Sequence, residues 1–128
     1  MLRVTMAAAI LCAAAVPAMA ADPAAGEKAF AVCKACHKVG EGAKNGVGPT
    51  LNGVVGRAAG AVEGYKYSDA MASSGITWDE ANLAEYIKNP KTKIPGNKMM
   101  YAGVKDDTKL ADIVAYLGQF NADGTKKQ

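Results

Sequence analysis

Cys33-Lys34-Ala35-Cys36-His37 sets two thiols three residues apart and an imidazole directly after the second. Thiols at that spacing on one turn of chain reach the neighbouring vinyl groups of a porphyrin. The next residue then falls beneath the iron with a neutral ring nitrogen to donate. The chemistry this implies is covalent haem attachment with one axial ligand included. Three other chemistries use paired cysteines, and each lacks a requirement here. A thioredoxin-like redox pair follows a strand in a βαβ unit, whereas this pair closes a helical stretch and runs into a glycine-rich loop. Zinc needs two further ligands, but His37 is the only histidine, and the one other cysteine, Cys12, lies in a segment read below as removed. A disulfide across two intervening residues is strained and closes almost no loop.

With one imidazole on the iron, the opposite face needs a different donor, and soft methionine sulfur is the one that raises the potential. Met99 and Met100 are the candidates, in Ile94-Pro95-Gly96-Asn97-Lys98-Met99-Met100-Tyr101. Pro95 stiffens this segment and Gly96 turns it. Two adjacent methionines on irregular backbone do not both face inward, so one ligates and the other packs or lies exposed. Met71 reads as core filling.

The N-terminus predicts export. Arg3 precedes an apolar run from Val4 to Val16, then Pro17 and Ala18-Met19-Ala20, the pattern of a secretory signal peptide cleaved after Ala20. The run is short for a membrane span, which takes roughly 20 apolar residues. Cys12 follows Ile10-Leu11, too bulky for a lipidation box. Removing residues 1–20 from the 128 leaves 108 at 21–128, one small domain whose only thiols are Cys33 and Cys36. Such a chain carries no spare thiol into an oxidising compartment. With Arg3 gone, 14 basic residues stand against 12 acidic ones, a formal charge of +2 that does not suggest nucleic acid. A chain this small, with Phe30 and Phe120 its only phenylalanines, has a modest core. A porphyrin would add several hundred Å² of apolar surface, worth on the order of 10 kcal/mol, so the apoprotein is expected to be largely unfolded.

The elements that must position these residues are helical. Asp22-Pro23 is an N-cap followed by a first-turn proline, and Gly26, Ala29, Phe30 and Cys33 recur on one side, which predicts a helix over 23–35. From Val39 to Gly64 the chain is glycine-rich without apolar periodicity, a long loop that makes sense if it wraps something. Ser68 to Ser74 predicts a short helix closed by Gly75. Thr77 with Glu80 predicts a capping box opening a third, which presents Leu83, Tyr86 and Ile87 and ends at Asn89-Pro90. Lys91 to Gly103 reads as irregular. A last helix begins near Asp106 to Thr108 with the stripe Leu110, Ile113, Val114 and Leu117, and the polar tail from Asn121 is expected to fray. The fold class is all-α, about four to five helices with long glycine-rich loops wrapped around one covalently bound haem.

CXXCH near the mature N-terminus, Gly48-Pro49 after it and Pro95-Gly96-Asn97-Lys98-Met99 downstream resemble a class I cytochrome c over essentially the whole mature chain. The likeness is to the small bacterial type exemplified by cytochrome c2 and to mitochondrial forms. It implies that Met99 is the sixth ligand opposite His37, and that the Pro49 carbonyl accepts the His37 ring N–H. It implies that Arg57, Tyr67 and Trp78 hydrogen-bond the haem propionates, for which the Trp78 indole N–H is a suitable buried donor. Tyr86 corresponds to the tyrosine whose hydroxyl touches the ligand sulfur. Gly26 and Phe30 on the first helix, with Ile113 and Tyr116 on the last, correspond to the contact between terminal helices.

The chain also departs from the pattern. Met71 stands where many relatives carry an asparagine near a propionate, and Tyr101 replaces a phenylalanine of mitochondrial forms. Of the family's lysine ring, Lys44, Lys91, Lys98 and Lys105 match, while Glu27, Glu41 and Asp106 intrude. The resemblance implies a periplasmic one-electron carrier and not an enzyme, monomeric, with the haem edge near Lys34, Lys98 and Tyr101 as the exit. Its partners would be a cytochrome bc complex, a terminal oxidase or photosynthetic reaction centre, or periplasmic dehydrogenases. The alternative is a c-type haem enzyme or gas sensor with a labile sixth ligand.

Overall fold

Asp22 opens the first helix as its sequence requires: the carboxylate accepts the Ala24 N–H, and Pro23 takes the position whose missing N–H costs nothing. The computed structural model describes residues 20–128 and Ile10. Residues 1–9 and 11–19, on which the signal-peptide reading rests, lie outside the described residues. Helix α1 spans Pro23–Ala29 and tightens into a 3-10 turn, Phe30–Cys33, so the single α-helix expected over 23–35 is corrected to two segments. Apolar spacing over one turn does not separate a rise of 3.6 residues from one of 3.0.

Helix α2, Asp69–Ala72, is capped by Ser68, whose side chain accepts the Met71 N–H. Helix α3, Glu80–Lys88, buries Leu83 and Tyr86. Its cap is Asp79, which accepts the Asn82 N–H at 2.7 Å, and not Thr77. Thr77 is extended instead, bridging Ala58, and its carbonyl accepts from the Asn82 side chain. Helix α4, Pro90–Lys93, corrects the irregular reading from Lys91 onward: a proline that ends one helix is equally well placed at the first turn of the next. Helix α5, Asp107–Leu117, capped by Asp106, buries the predicted stripe of Leu110, Ile113, Val114 and Leu117.

The terminal helices α1 and α5 pack against each other and build the core. Gly26 lies so close to α5 that a Cβ there would stand 1.9 Å from the Asp112 carbonyl oxygen. The buried Asp112 carboxylate in turn accepts the Asp22 N–H at 2.8 Å, tying the start of α1 to α5. Phe30, Ile113 and Leu117 are sealed beneath this contact, and the Tyr116 ring lies 5.5 Å from Phe30 and 5.2 Å from Phe120.

The loop between Cys33 and α2 is held by individual hydrogen bonds. The Asn52 amide pairs with both the N–H and the carbonyl of Gly40, and backbone bonds join Gly56 to Trp78, Trp78 to Arg57, and Ala59 to Ile76. The tail is not frayed. It turns back so that Asn121 N–H bonds the Thr125 carbonyl and Lys127 N–H bonds that of Gln119, around a Phe120–Lys126 bridge. Its polarity marked a surface segment, and the turn chemistry of Asn, Asp and Gly organises it. Among the described residues there are five α-helices and isolated bridges but no strand, and no helix is long and apolar enough to cross a membrane.

Candidate functional site

The 3-10 turn ends at Cys33, and the chain keeps turning: the N–H groups of Cys36 and His37 both bond the Cys33 carbonyl. That tight geometry sets both thiols and the imidazole on the wall of a cavity of about 310 Å³ between α3, α5 and the loops. Cys33 is half-buried and Cys36 exposed. Burial, reinforced by Cys36, pushes the Cys33 thiol up from its ordinary value.

His37 Nδ1 donates to the Pro49 carbonyl at 2.8 Å, which fixes the tautomer and leaves Nε2 as the donor nitrogen. Burial lowers its pKa; the Pro49 bond opposes that shift, and the Arg57 charge adds to it. The imidazole is therefore neutral near pH 7, the form a metal requires. Gly48 makes room for this ring. A Cβ at position 48 would meet the imidazole at 2.4 to 2.9 Å.

Met99, also in the cavity's lining, is half-buried and packs on the core, whereas Met100 is 94% exposed. Asn97 sets that difference. Its side chain donates to the carbonyls of Pro90 and Ile94, both at 2.8 Å, and accepts the Met99 N–H at 2.8 Å. Sequence reasoning assigned Asn97 no role, although asparagine bonding the backbone two residues on is a recognisable turn signal. Gly48 carried no such signal, since its closeness to His37 arises only when the loop closes.

Arg57 is pinned through one guanidinium nitrogen to the carbonyls of Thr50 and Asn52, at 3.1 and 3.0 Å. Its Nε is buried without a partner, and burial lowers its pKa. A buried guanidinium N–H left over at a cavity wall calls for an anionic acceptor from outside the chain. Tyr67 accepts the Val62 N–H at 3.1 Å and keeps its own hydroxyl hydrogen to donate. The Trp78 and Tyr86 rings pack with centroids 5.0 Å apart. Burial first, with Tyr65 adding, pushes the Tyr86 phenol up to about 12, so it stays a hydroxyl. All nine residues singled out from the sequence, Cys33, Cys36, His37, Pro49, Arg57, Tyr67, Trp78, Tyr86 and Met99, line this one cavity, and Met71 lies among them.

The donor set suits a flat apolar macrocycle with a metal and acidic substituents. It offers a neutral imidazole held from behind, a thioether sulfur, two thiols, mostly apolar walls and an unpaired guanidinium N–H. The sequence profile of the Cytochrome c family matches residues 23–121. Cytochrome c2 of Blastochloris viridis is 57% identical over 118 residues, covering 92% of this chain and 93% of that one. Cytochrome c-550 of Nitrobacter winogradskyi is 58% identical over 106 residues, 83% of this chain and 97% of its own. Among solved structures, cytochrome cH from Methylobacterium extorquens aligns with a TM-score of 0.71 at 56% identity, covering 75% of this chain and 96% of the other. Cytochrome c2 from Rhodospirillum centenum aligns with a TM-score of 0.75 at 36% identity, covering 78% and 98%.

Proposed function

The chain belongs to the cytochrome c family, carries covalent haem c and transfers electrons, and from that premise we propose a periplasmic one-electron shuttle with His37 and Met99 as axial ligands. When bound, the haem supplies a reversible one-electron couple at iron. Cys33 and Cys36 hold it as thioethers. His37 offers Nε2, kept in orientation by Pro49, and Asn97 keeps the Met99 sulfur at the cavity wall. Arg57 Nε, with Tyr67 and Trp78, meets the propionates, which removes the cost of burying those carboxylates unpaired. Ligands fixed by proline, by an asparagine clamp and by covalent bonds would move little between oxidation states, which suits electron transfer.

The observation that carries the ligand assignment is the contrast between half-buried Met99 and exposed Met100. Residues 1–20 serve as a signal peptide, and the partners are membrane redox complexes (a cytochrome bc complex, a terminal oxidase or a photosynthetic reaction centre) or periplasmic dehydrogenases. Docking is transient and uses the exposed haem edge. Lys34, Lys44 and Lys91 are exposed and raise encounter rates with acidic surfaces. Lys98 and Lys105 are partly occupied by carbonyls of their own chain.

Visible spectra of the purified protein, oxidised and reduced, with an alkaline pyridine test, check this reading. Thioether-bonded haem and a methionine-to-iron charge-transfer band in the ferric state are the expected results. Carbon monoxide binding to the native reduced protein at neutral pH would instead indicate an enzyme or sensor with a labile sixth ligand.

A further inference from the structure

Tyr65 stands at the mouth of the cavity and touches both ligand-bearing segments. Its hydroxyl donates to the Val47 carbonyl at 2.8 Å, and Val47 directly precedes Gly48-Pro49, the pair that seats and hydrogen-bonds His37. The Lys98 ammonium lies 5.1 Å from the centroid of the Tyr65 ring, and Lys98 directly precedes Met99. The same ammonium donates to the carbonyl of Lys66, the next residue after Tyr65. Tyr67 supports the ring edge-on at 4.8 Å. Asn45 adds a second tie between the two loops by donating to the Glu63 carbonyl at 3.0 Å. Three segments far apart in sequence thus meet on one side chain, with Val47 on its hydroxyl and Lys98 over its ring.

We propose that Tyr65 is a positioning residue that couples the His37 loop to the Met99 loop across the cavity mouth and holds Met99 against competing ligands. This rests on the reading of Met99 as the sixth ligand. The hydroxyl and the ring do separate work: the first anchors the strap to Val47, the second gives Lys98 an aromatic face to rest on. Release of either lets residues 98 and 99 swing outward more often, with the rest of the core unchanged.

Titration of the ferric holoprotein with imidazole, followed by loss of the methionine-to-iron band, reads that release directly. Tyr65→Phe keeps the ring and is expected to raise imidazole affinity about threefold, and Tyr65→Leu, which removes both contacts, about tenfold. In a Lys98→Gln background the increment between Phe and Leu should shrink, because the cation is gone. Unaltered imidazole affinity in Tyr65→Leu, or a full increment in Lys98→Gln, overturns the proposal. So does a lower denaturation midpoint with unaltered imidazole affinity, which would make Tyr65 merely structural. If Tyr65→Leu does not fold, the Phe and Lys98→Gln arms decide on their own. Absence of the band from the unsubstituted protein overturns the Met99 assignment instead.

Discussion

Met99 and Met100 are chemically identical neighbours, and only their surroundings separate them. Asn97 anchors the Met99 N–H while Met100 points to solvent, 94% exposed. Met99→Ala is therefore expected to abolish the methionine-to-iron band and lower the potential, whereas Met100→Ala keeps both. A ferric spectrum and a redox titration of each variant decide, and the opposite pattern would overturn the ligand assignment. Arg57 makes a second case at this scale. Only the resemblance gives it a role from sequence, and its Nε is buried and unpaired at the cavity wall. Such an N–H costs about 1 to 3 kcal/mol when unsatisfied and becomes a charge-assisted bond once a carboxylate arrives.

Among the elements, the contact of α1 with α5 is the least forgiving. Gly26 faces the Asp112 carbonyl with no space for a methyl group, and Phe30 of the 3-10 turn that follows α1 is buried with Ile113 and Leu117 of α5. Gly26→Ala therefore forces the helices apart and is expected to cost about 2 kcal/mol or more, read as a lower denaturant midpoint of the holoprotein. Asp79→Ala removes the α3 cap and should cost about 1 kcal/mol. Thr77→Ala, at the cap position expected from sequence, should not reproduce a lost cap. If Thr77→Ala proved the costlier of the two, the observed cap would be wrong. The existence of α1, α2, α3 and α5 was legible from caps and stripes, whereas α4 was not. The exact cap was not, because Thr77 and Asp79 are both good caps locally and the bridge to Ala58 claims one of them.

For the whole molecule the cavity dominates. At roughly 24 cal/mol per Å³, leaving about 310 Å³ empty would cost on the order of 7 kcal/mol, comparable to the entire stability of a small domain. A Cys33→Ala, Cys36→Ala chain kept free of haem should accordingly lose most of its far-ultraviolet helix signal; a native-like spectrum with a cooperative melt would contradict this. The sequence by itself determined the attachment chemistry, because two thiols and an imidazole within five residues are a local arrangement that any helical turn presents together. It also determined the helical class, the cap of α1 and the buried stripe of the last helix, all short-range patterns. Only the tertiary structure decided that Gly48 must lack a side chain, that Asn97 clamps the loop that carries Met99 and that the polar tail folds back. Those depend on segments tens of residues apart meeting around one cavity, and burial is a property of the assembled neighbours and not of the residue.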